Sequence, residues 1–159
     1  MMYKKGVVVS LGLLFILFVV VGCLTVGKTP ISNEDAVNTI AGIWVNTEYS
    51  GQEMAHPQKV VFTLNGIFEE YAIATNTFFF NRGKYIVKEC WIDSRGNLYC
   101  TVNLLFGVNS GSQELWRLDE TGEKLEMNWK YGIGDEFPKR IDTNPDPMPD
   151  LYYGVYYRQ

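Results

Sequence analysis

Short runs of hydrophobic and aromatic residues, separated by turn residues, follow one another along most of this chain. Such runs are typical of antiparallel β-strands, and no long stretch has the spacing of an amphipathic helix. The predicted strands are Gly42–Tyr49, Gln58–Leu64, Ile67–Ala74, Gly83–Asp93, Leu98–Phe106, Glu114–Asp119, Lys124–Tyr131 and Leu151–Arg158. About eight strands close an antiparallel sheet around side chains or one small ligand. The pattern therefore predicts an all-β fold, an up-and-down antiparallel barrel, with a β-sandwich as the alternative.

The Asn-Gly pair at positions 65 and 66 is the strongest short hairpin signal in the sequence. A three-residue bulged loop would place Phe62 opposite Phe68. A two-residue loop would instead place Leu64 opposite Ile67. The sequence leaves both registers open.

A short helix is predicted ahead of the first strand. Ser32 can cap its N-terminus, and the acidic residues Glu34 and Asp35 in its first turn complement the helix dipole. We expect this helical turn to plug one end of the barrel.

The first two dozen residues have the layout of an export signal, with lysines at 4 and 5 followed by the apolar run Gly6–Val21. The run ends in Val20–Cys23, which resembles the lipobox of bacterial lipoproteins. The resemblance implies that Cys23 is acylated, with fatty acids such as palmitate, and that the preceding peptide is removed. The alternative is an uncleaved helical anchor, because the run approaches the ~20 residues that span a bilayer.

This layout divides the chain into a signal peptide, residues 1–22, a lipidated N-terminus and tether, residues 23–39, and a barrel domain, residues 40–159. It places the protein in the cell envelope, outside the cytoplasm and lipid-anchored to a membrane. Leu24 follows the cysteine where a sorting signal would have Asp. By analogy with lipoprotein sorting, the outer membrane or the cell surface stays open as a destination.

Cys90 and Cys100 are the two cysteines left after Cys23, an even pair that an oxidising compartment would join. A three-residue loop at Ser94–Gly96 would pair the two cysteines at a non-hydrogen-bonded position, where Cα atoms approach to ~4.5 Å. A two-residue loop would place Cys90 opposite Thr101. We predict a disulfide, since a metal or redox pair would need closer spacing or a nearby histidine.

The first predicted strand opens with Gly42-Ile43-Trp44, and Arg158 lies on the last one. With about eight strands between them, the chain resembles the lipocalin-like, or calycin, superfamily, and in particular small bacterial lipoproteins with such a domain. The resemblance implies that Gly42, Trp44 and Arg158 close the barrel base, with Arg158 stacked on Trp44, and that the other end is open. The family's T-D-Y motif is replaced by Glu120–Gly122 and its C-terminal helix is absent, so no ligand class is carried over.

The charge distribution argues against nucleic acid as a partner. The whole chain has a net charge of −4, and the part after Cys23, with 12 basic and 18 acidic residues, has −6. Contacts to phosphates need clustered Lys and Arg, and this sequence has no basic run.

No motif predicts catalysis, a metal or a cofactor, so the protein is not expected to be an enzyme. His56 is the only histidine and has no nucleophile motif beside it. Glu69 and Glu70 are adjacent and would point to opposite faces of a strand. The stretch 142–146 resembles the start of a calcium loop but lacks its glycine and its final glutamate.

The strand arms around the cysteines offer two candidate inner faces. One face carries Tyr85, Val87, Glu89, Trp91, Tyr99, Thr101, Asn103 and Leu105; the other carries Lys84, Ile86, Lys88, Cys90, Cys100, Val102 and Leu104. The lysines favour the second face as the outer one. The predicted ligand-binding residues are therefore Tyr85, Glu89, Trp91, Tyr99 and Asn103, which would suit an amphipathic small molecule. Alternatively, these side chains fill the barrel.

Two functions follow as hypotheses. The first is an envelope lipoprotein that binds a small hydrophobic or amphipathic molecule. The second is a filled barrel that engages an unknown envelope protein, as an inhibitor or assembly factor. The loops that would carry the second role are Gly51–Pro57, Ala74–Asn81 with its three phenylalanines at 78–80, Gly107–Gln113 and Gly132–Asp150.

Overall fold

The computed structural model describes residues 27–49, 52–72, 79–132, 136–143 and 151–159, with the backbone alone for residues 47–49, 52–57, 72, 79 and 80. The helix of this part of the chain, α1, spans Asn33–Ile40. The strands are β1 Lys28–Pro30, β2 Gly42–Tyr49, β3 Gln52–Phe62, β4 Ile67–Ala72, β5 Phe79–Asp93, β6 Leu98–Leu105, β7 Gly111–Leu118, β8 Lys124–Tyr131 and β9 Tyr152–Arg158. The predicted export signal and Cys23 lie outside the described residues.

Strands β2 to β9 form a closed antiparallel barrel in which each strand pairs with the next one along the chain. β9 returns to pair with β2, and β5 pairs with both β4 and β6, so the sheet has no gap between neighbours. The predicted up-and-down barrel of eight strands is confirmed. β1 is an additional strand on the end of β5, with Lys28 opposite Asp93. Part of the predicted tether thus belongs to the fold from Lys28 onward.

Because successive strands run in opposite directions, their connections alternate between two ends of the barrel. The helix end has α1 and the turns at 63–66, 94–97 and 119–123, and the loop end has the connections after β2, β4, β6 and β8. The predicted loop Gly51–Pro57 is mostly strand, since β3 begins at Gln52. Pro57 is tolerated there because the pairing of β2 with β3 shifts register between Asn46 and Glu48, where the hydrogen-bond ladder is irregular.

The hairpin between β3 and β4 has the three-residue register. Phe62 lies opposite Phe68, and the Thr63 N–H donates to the Ile67 carbonyl around the loop. Gly66 has φ of 77°, a left-handed conformation that glycine adopts without steric cost. The first of the two predicted alternatives is therefore confirmed.

The cysteine hairpin also has its predicted three-residue register, with Cys90 opposite Cys100 and Trp91 opposite Tyr99. Farther along, Val87 lies opposite Val102 but Glu89 lies opposite Thr101, so one extra residue bulges out of β5. A bulge of one residue reverses which side chains face inward on either side of it.

The bulge makes the predicted inner face wrong over most of this hairpin. Before it, Tyr85 and Val87 point inward as expected. Beyond it on β5, and all along β6, the inner face carries residues that had been assigned to the outside. These are Cys90 on β5 and Cys100, Val102 and Leu104 on β6, all buried in the core. The sequence prediction assumed that side chains alternate without interruption along β5, with the lysines outside, and therefore missed this reversal.

The helix end is closed by α1 and by a fully buried tryptophan. The Ser32 hydroxyl accepts a hydrogen bond from the Asp35 N–H as the predicted cap, and Ile40 of α1 is buried in the barrel core. Trp44 Nε1–H donates to the Ile40 carbonyl at 2.8 Å. The predicted plug is therefore present.

Arg158 lies across Trp44, as the lipocalin resemblance implied. Its Cζ is 4.4 Å from the ring centroid, and its guanidinium donates to the carbonyls of Thr39, Ala41 and Gly122. Gly42 has φ of 149°, and a Cβ there would lie 3.0 Å from an Arg158 nitrogen. A larger residue at position 42 would be strained by the positive φ and would crowd Arg158, which explains the glycine.

Within the described part of the chain, no helix has the length and apolar character needed to cross a membrane.

Candidate functional site

A cavity of about 450 Å³ occupies the half of the barrel toward the loop end. Most of its wall is apolar and comes from Val60, Phe62, Leu104, Phe106, Met127 and Trp129. Its polar groups come from Gln58, Glu70, Asn81, Ser112, Glu114, Tyr131 and Tyr156. Tyr131 is exposed, so the cavity reaches the surface there. The barrel is thus packed toward the helix end and hollow toward the loop end.

Glu114 lies on the inner face of β7 and is buried in the cavity wall. Its two oxygens each accept one hydrogen bond, from the Ser112 hydroxyl at 2.5 Å and from Trp116 Nε1–H at 2.5 Å. The three residues alternate along one strand, which places their side chains on the same face. Burial raises the pKa of the Glu114 carboxyl to about 7 in spite of these bonds, and the charge of Glu70 adds to the rise.

Glu70 is the second carboxylate of the cavity and lies on β4, opposite Val60. Burial raises its pKa, and a hydrogen bond with Asn81 opposes the rise. The adjacent Glu69 faces outward, where it contacts Arg82 at 3.4 Å. The predicted separation of these two glutamates onto opposite faces is confirmed.

The other buried glutamate, Glu126, shows what a compensated carboxylate looks like in this fold. It lies on the outer face of β8, where Arg117 and Lys124 form ion pairs with it and the Tyr153 hydroxyl donates to it at 2.8 Å. Although burial raises its pKa, the bonds from Tyr153 and Arg117 outweigh that effect and lower it. No Lys or Arg is among the residues described as lining the cavity, so no described basic side chain there compensates Glu70 and Glu114.

Of the five predicted ligand-binding residues, Tyr85 alone faces the barrel interior. Its ring packs against Phe62 and Trp116, and its hydroxyl already donates to the Thr63 carbonyl at 2.6 Å. Burial raises its pKa to about 12. Tyr85 lies below the cavity and belongs to the packed core.

The other four residues lie on the outside of the barrel, because the bulge in β5 reverses the faces. Trp91 and Tyr99 stack with ring centroids 5.4 Å apart, and Lys28 Nζ lies 4.2 Å from the Trp91 ring. Glu89 is exposed in the same region. Asn103 is also outside, and its Oδ1 is buried without a hydrogen-bond donor among the described residues. The five residues are therefore not brought together as one interior site.

The remaining sequence candidates add no chemistry to the described part of the chain. His56 lies in β3, and its side chain is outside the described residues. The carboxylate of Asp142, in the calcium-like stretch, forms an ion pair with Arg140. The backbone carbonyl and N–H of Asp142 are hydrogen-bonded to the side-chain amide of Asn128. No cluster of three or more metal-ligating side chains occurs among the described residues. The three phenylalanines at 78–80 have no described side chains.

Glu70 and Glu114 were not among the predicted site residues, although part of the signal was in the sequence. Glu114 and Trp116 alternate along the predicted strand Glu114–Asp119, which indicates a shared face. Ser112 was placed in the predicted loop Gly107–Gln113, whereas the strand begins at Gly111. Glu114 faces the barrel interior because its strand turns the face with Trp116 and Leu118 into the core. The sequence of this strand alone does not show which of its two faces is the inner one.

Comparison with protein-family models, with curated proteins and with solved structures found no match for this chain.

Proposed function

We propose that this protein is a non-enzymatic, membrane-anchored envelope lipoprotein whose lipocalin-like barrel binds one small hydrophobic or amphipathic molecule. The observation that carries the proposal is the cavity of about 450 Å³ with a mainly apolar wall. Ligand pockets for small molecules commonly have volumes of roughly 300–1,000 Å³ and few polar groups. A cavity of this size lowers the stability of a barrel, because buried voids cost free energy, so its presence favours a role in binding.

The lipid anchor and the lipocalin-like relationship are parts of the same proposal. The export-signal layout and the lipobox-like Val20–Cys23 support the anchor. The arrangement of Gly42, Trp44 and Arg158 at the helix end supports the relationship, because the contact that the resemblance implied is present.

Native mass spectrometry of the full chain, purified from its host membrane into nanodiscs of zwitterionic lipid, tests the binding function. We expect a non-covalent adduct that is lost on denaturation. Val60→Trp, which fills the cavity, should abolish the adduct, whereas the exposed control Val108→Trp should retain it. Leu104→Trp is a second filling variant should Val60→Trp fail to fold. An adduct that survives both filling variants, or a wild-type chain without any adduct, would contradict the proposal.

A second candidate function, an interaction module for an envelope protein, is favoured by the outer surface beside β1. There the stacked Trp91 and Tyr99 lie with Lys28 and Arg140 around a groove of about 360 Å³. Aromatic and arginine side chains are enriched at protein interfaces. Under this function, Trp91→Ala would abolish partner binding and Val60→Trp would not.

We also propose that Cys90 and Cys100 form a disulfide in the oxidising envelope. They lie opposite each other and are both free thiols in the structure, with Sγ atoms 2.7 Å apart. A chain prepared without reductant is expected to be lighter, by two hydrogens, than the same chain after reduction. Reduction should lower the free energy of unfolding by ~2–3 kcal/mol. The double variant Cys90→Ser/Cys100→Ser is the control, and an unchanged mass on reduction would contradict the disulfide.

A further inference from the structure

The cavity combines an apolar wall with two carboxylates and, among its described lining residues, no side chain of opposite charge. We propose that its ligand is a cationic amphiphile, a protonated amine with a hydrocarbon or aromatic body, and that Glu70 and Glu114 receive the ammonium group. This inference rests on the proposed binding function and adds the chemical class of the ligand.

Glu114 lines the cavity and has unused hydrogen-bonding capacity. A carboxylate has about four lone-pair sites on its two oxygens. Ser112 and Trp116 occupy one site on each oxygen. An ammonium group has three donors and no acceptor, so it fits the sites that remain.

Glu70 adds a second negative charge to the same space. Two carboxylates that interact in a poorly solvated site disfavour each other's ionisation, and a positive charge between them removes that penalty. A fatty-acid carboxylate would bring a third negative charge against the same pair. A neutral alcohol would leave the two charges uncompensated. The cavity therefore favours a cation over an anion or a neutral ligand of equal size.

The apolar wall is suited to the rest of such a molecule. Phe106 and Trp129 present aromatic surfaces that attract both a hydrocarbon body and an ammonium group. A bare divalent cation fits less well, because Ca²⁺ takes six to eight oxygen ligands and no described cluster provides even three acidic, histidine or cysteine side chains.

The ionisation of Glu114 makes binding depend on pH. Among the described residues, the titratable groups that line the cavity with it are Glu70 from β4, Tyr131 from β8 and Tyr156 from β9. The described side chains of β3, β5 and β6 there are Gln58, Asn81 and apolar ones. Amine affinity should therefore rise as Glu114 loses its proton around pH 7.

Isothermal titration calorimetry with three water-soluble probes of equal chain length, hexylamine, hexanol and hexanoate, tests the inference. The full chain in zwitterionic nanodiscs is used, with empty nanodiscs subtracted. At pH 8 we expect hexylamine to bind about tenfold more tightly than hexanol, as a charge-assisted hydrogen bond provides, and hexanoate to bind most weakly. Hexylamine affinity should increase between pH 6 and pH 8.

Variants at adjacent positions provide a matched control. Glu114→Gln and Glu70→Gln should each weaken hexylamine binding about tenfold and leave hexanol binding unchanged. Glu69→Gln, one residue from Glu70 on the outer face, should change neither. The pH dependence should be absent in Glu114→Gln.

Hexanol or hexanoate binding as tightly as hexylamine, or equal losses in Glu69→Gln and Glu70→Gln, would overturn the inference. The proposed function would still stand if the native adduct were lost in Val60→Trp. Failure of all three probes, together with no native adduct, would overturn both.

Discussion

Trp44→Ala is expected to lower the free energy of unfolding by about 3–5 kcal/mol, the range found when a large buried side chain is truncated. Trp44 is 0% exposed, and it joins α1 to the barrel through its bond to the Ile40 carbonyl. Its loss would leave a void under α1 and remove the surface on which Arg158 lies. Urea unfolding, followed by circular dichroism, measures the change.

Trp91→Ala is the control for that experiment, because Trp91 is a half-buried tryptophan on the outside of the barrel. Trp91→Ala should lower the free energy of unfolding by only about 1 kcal/mol, because it removes the aromatic stack with Tyr99 and the contact with Lys28. Equal losses in the two variants would mean that Trp44 does not hold the helix end together.

The stability of the natural protein is expected to decline between about pH 4.5 and pH 7, and Glu114→Gln should remove this decline. The folded-state pKa of Glu114 is about 7 against an ordinary value of 4.5. Below pH 4.5 the carboxyl is protonated in both the folded and the unfolded chain. As the pH rises toward 7 the unfolded chain loses this proton first, so stability falls, by about 3 kcal/mol in all, and then levels off.

The glutamine side chain is neutral at every pH and can still bond to both neighbours of Glu114. Its oxygen can accept from Trp116, and its amide can donate to the Ser112 hydroxyl oxygen. At pH 8 the variant should therefore be more stable than the natural protein, and near pH 4.5 the two should be alike. Thermal unfolding across this pH range, in a fixed salt concentration, provides the measurement.

Glu126→Gln gives a control of opposite sign. The folded-state pKa of Glu126 is lowered, so its contribution is present above its unfolded value and is lost as the pH falls through the folded one. Glu126→Gln should therefore destabilise the protein at pH 8. A loss of stability at pH 8 in Glu114→Gln as well would show that the cavity carboxylate is compensated.

Much of the fold could be predicted because short turns fix their flanking strands. The turn residues at 64–66 and 94–96 located both hairpins and limited each to two registers. The structure has the three-residue loop in both, with Phe62 opposite Phe68 and Cys90 opposite Cys100. The contact of Arg158 with Trp44 was implied by the lipocalin-like resemblance, and the structure places the two residues opposite each other on neighbouring strands.

The inner face and the site could not be predicted in the same way. A bulge in the middle of β5 has no single residue type that marks it, yet it decides which side chains of the hairpin face inward. Glu70 and Glu114 come from strands that do not pair with each other and meet only because the barrel closes. Such proximity is a property of the whole sheet and leaves no local pattern in the sequence.

If Cys23 is lipidated as proposed, the position of the short strand β1 determines which end of the barrel faces the membrane. β1 enters along β5 from the helix end, with Lys28 opposite Asp93. Four residues lie between Cys23 and Lys28, and the five Cα–Cα steps that join the two can span at most about 18 Å. The helix end is then held toward the bilayer, and the cavity opens toward the aqueous side. Its ligand would be exchanged with molecules in solution or carried by soluble donors, without passing directly from the surrounding lipid.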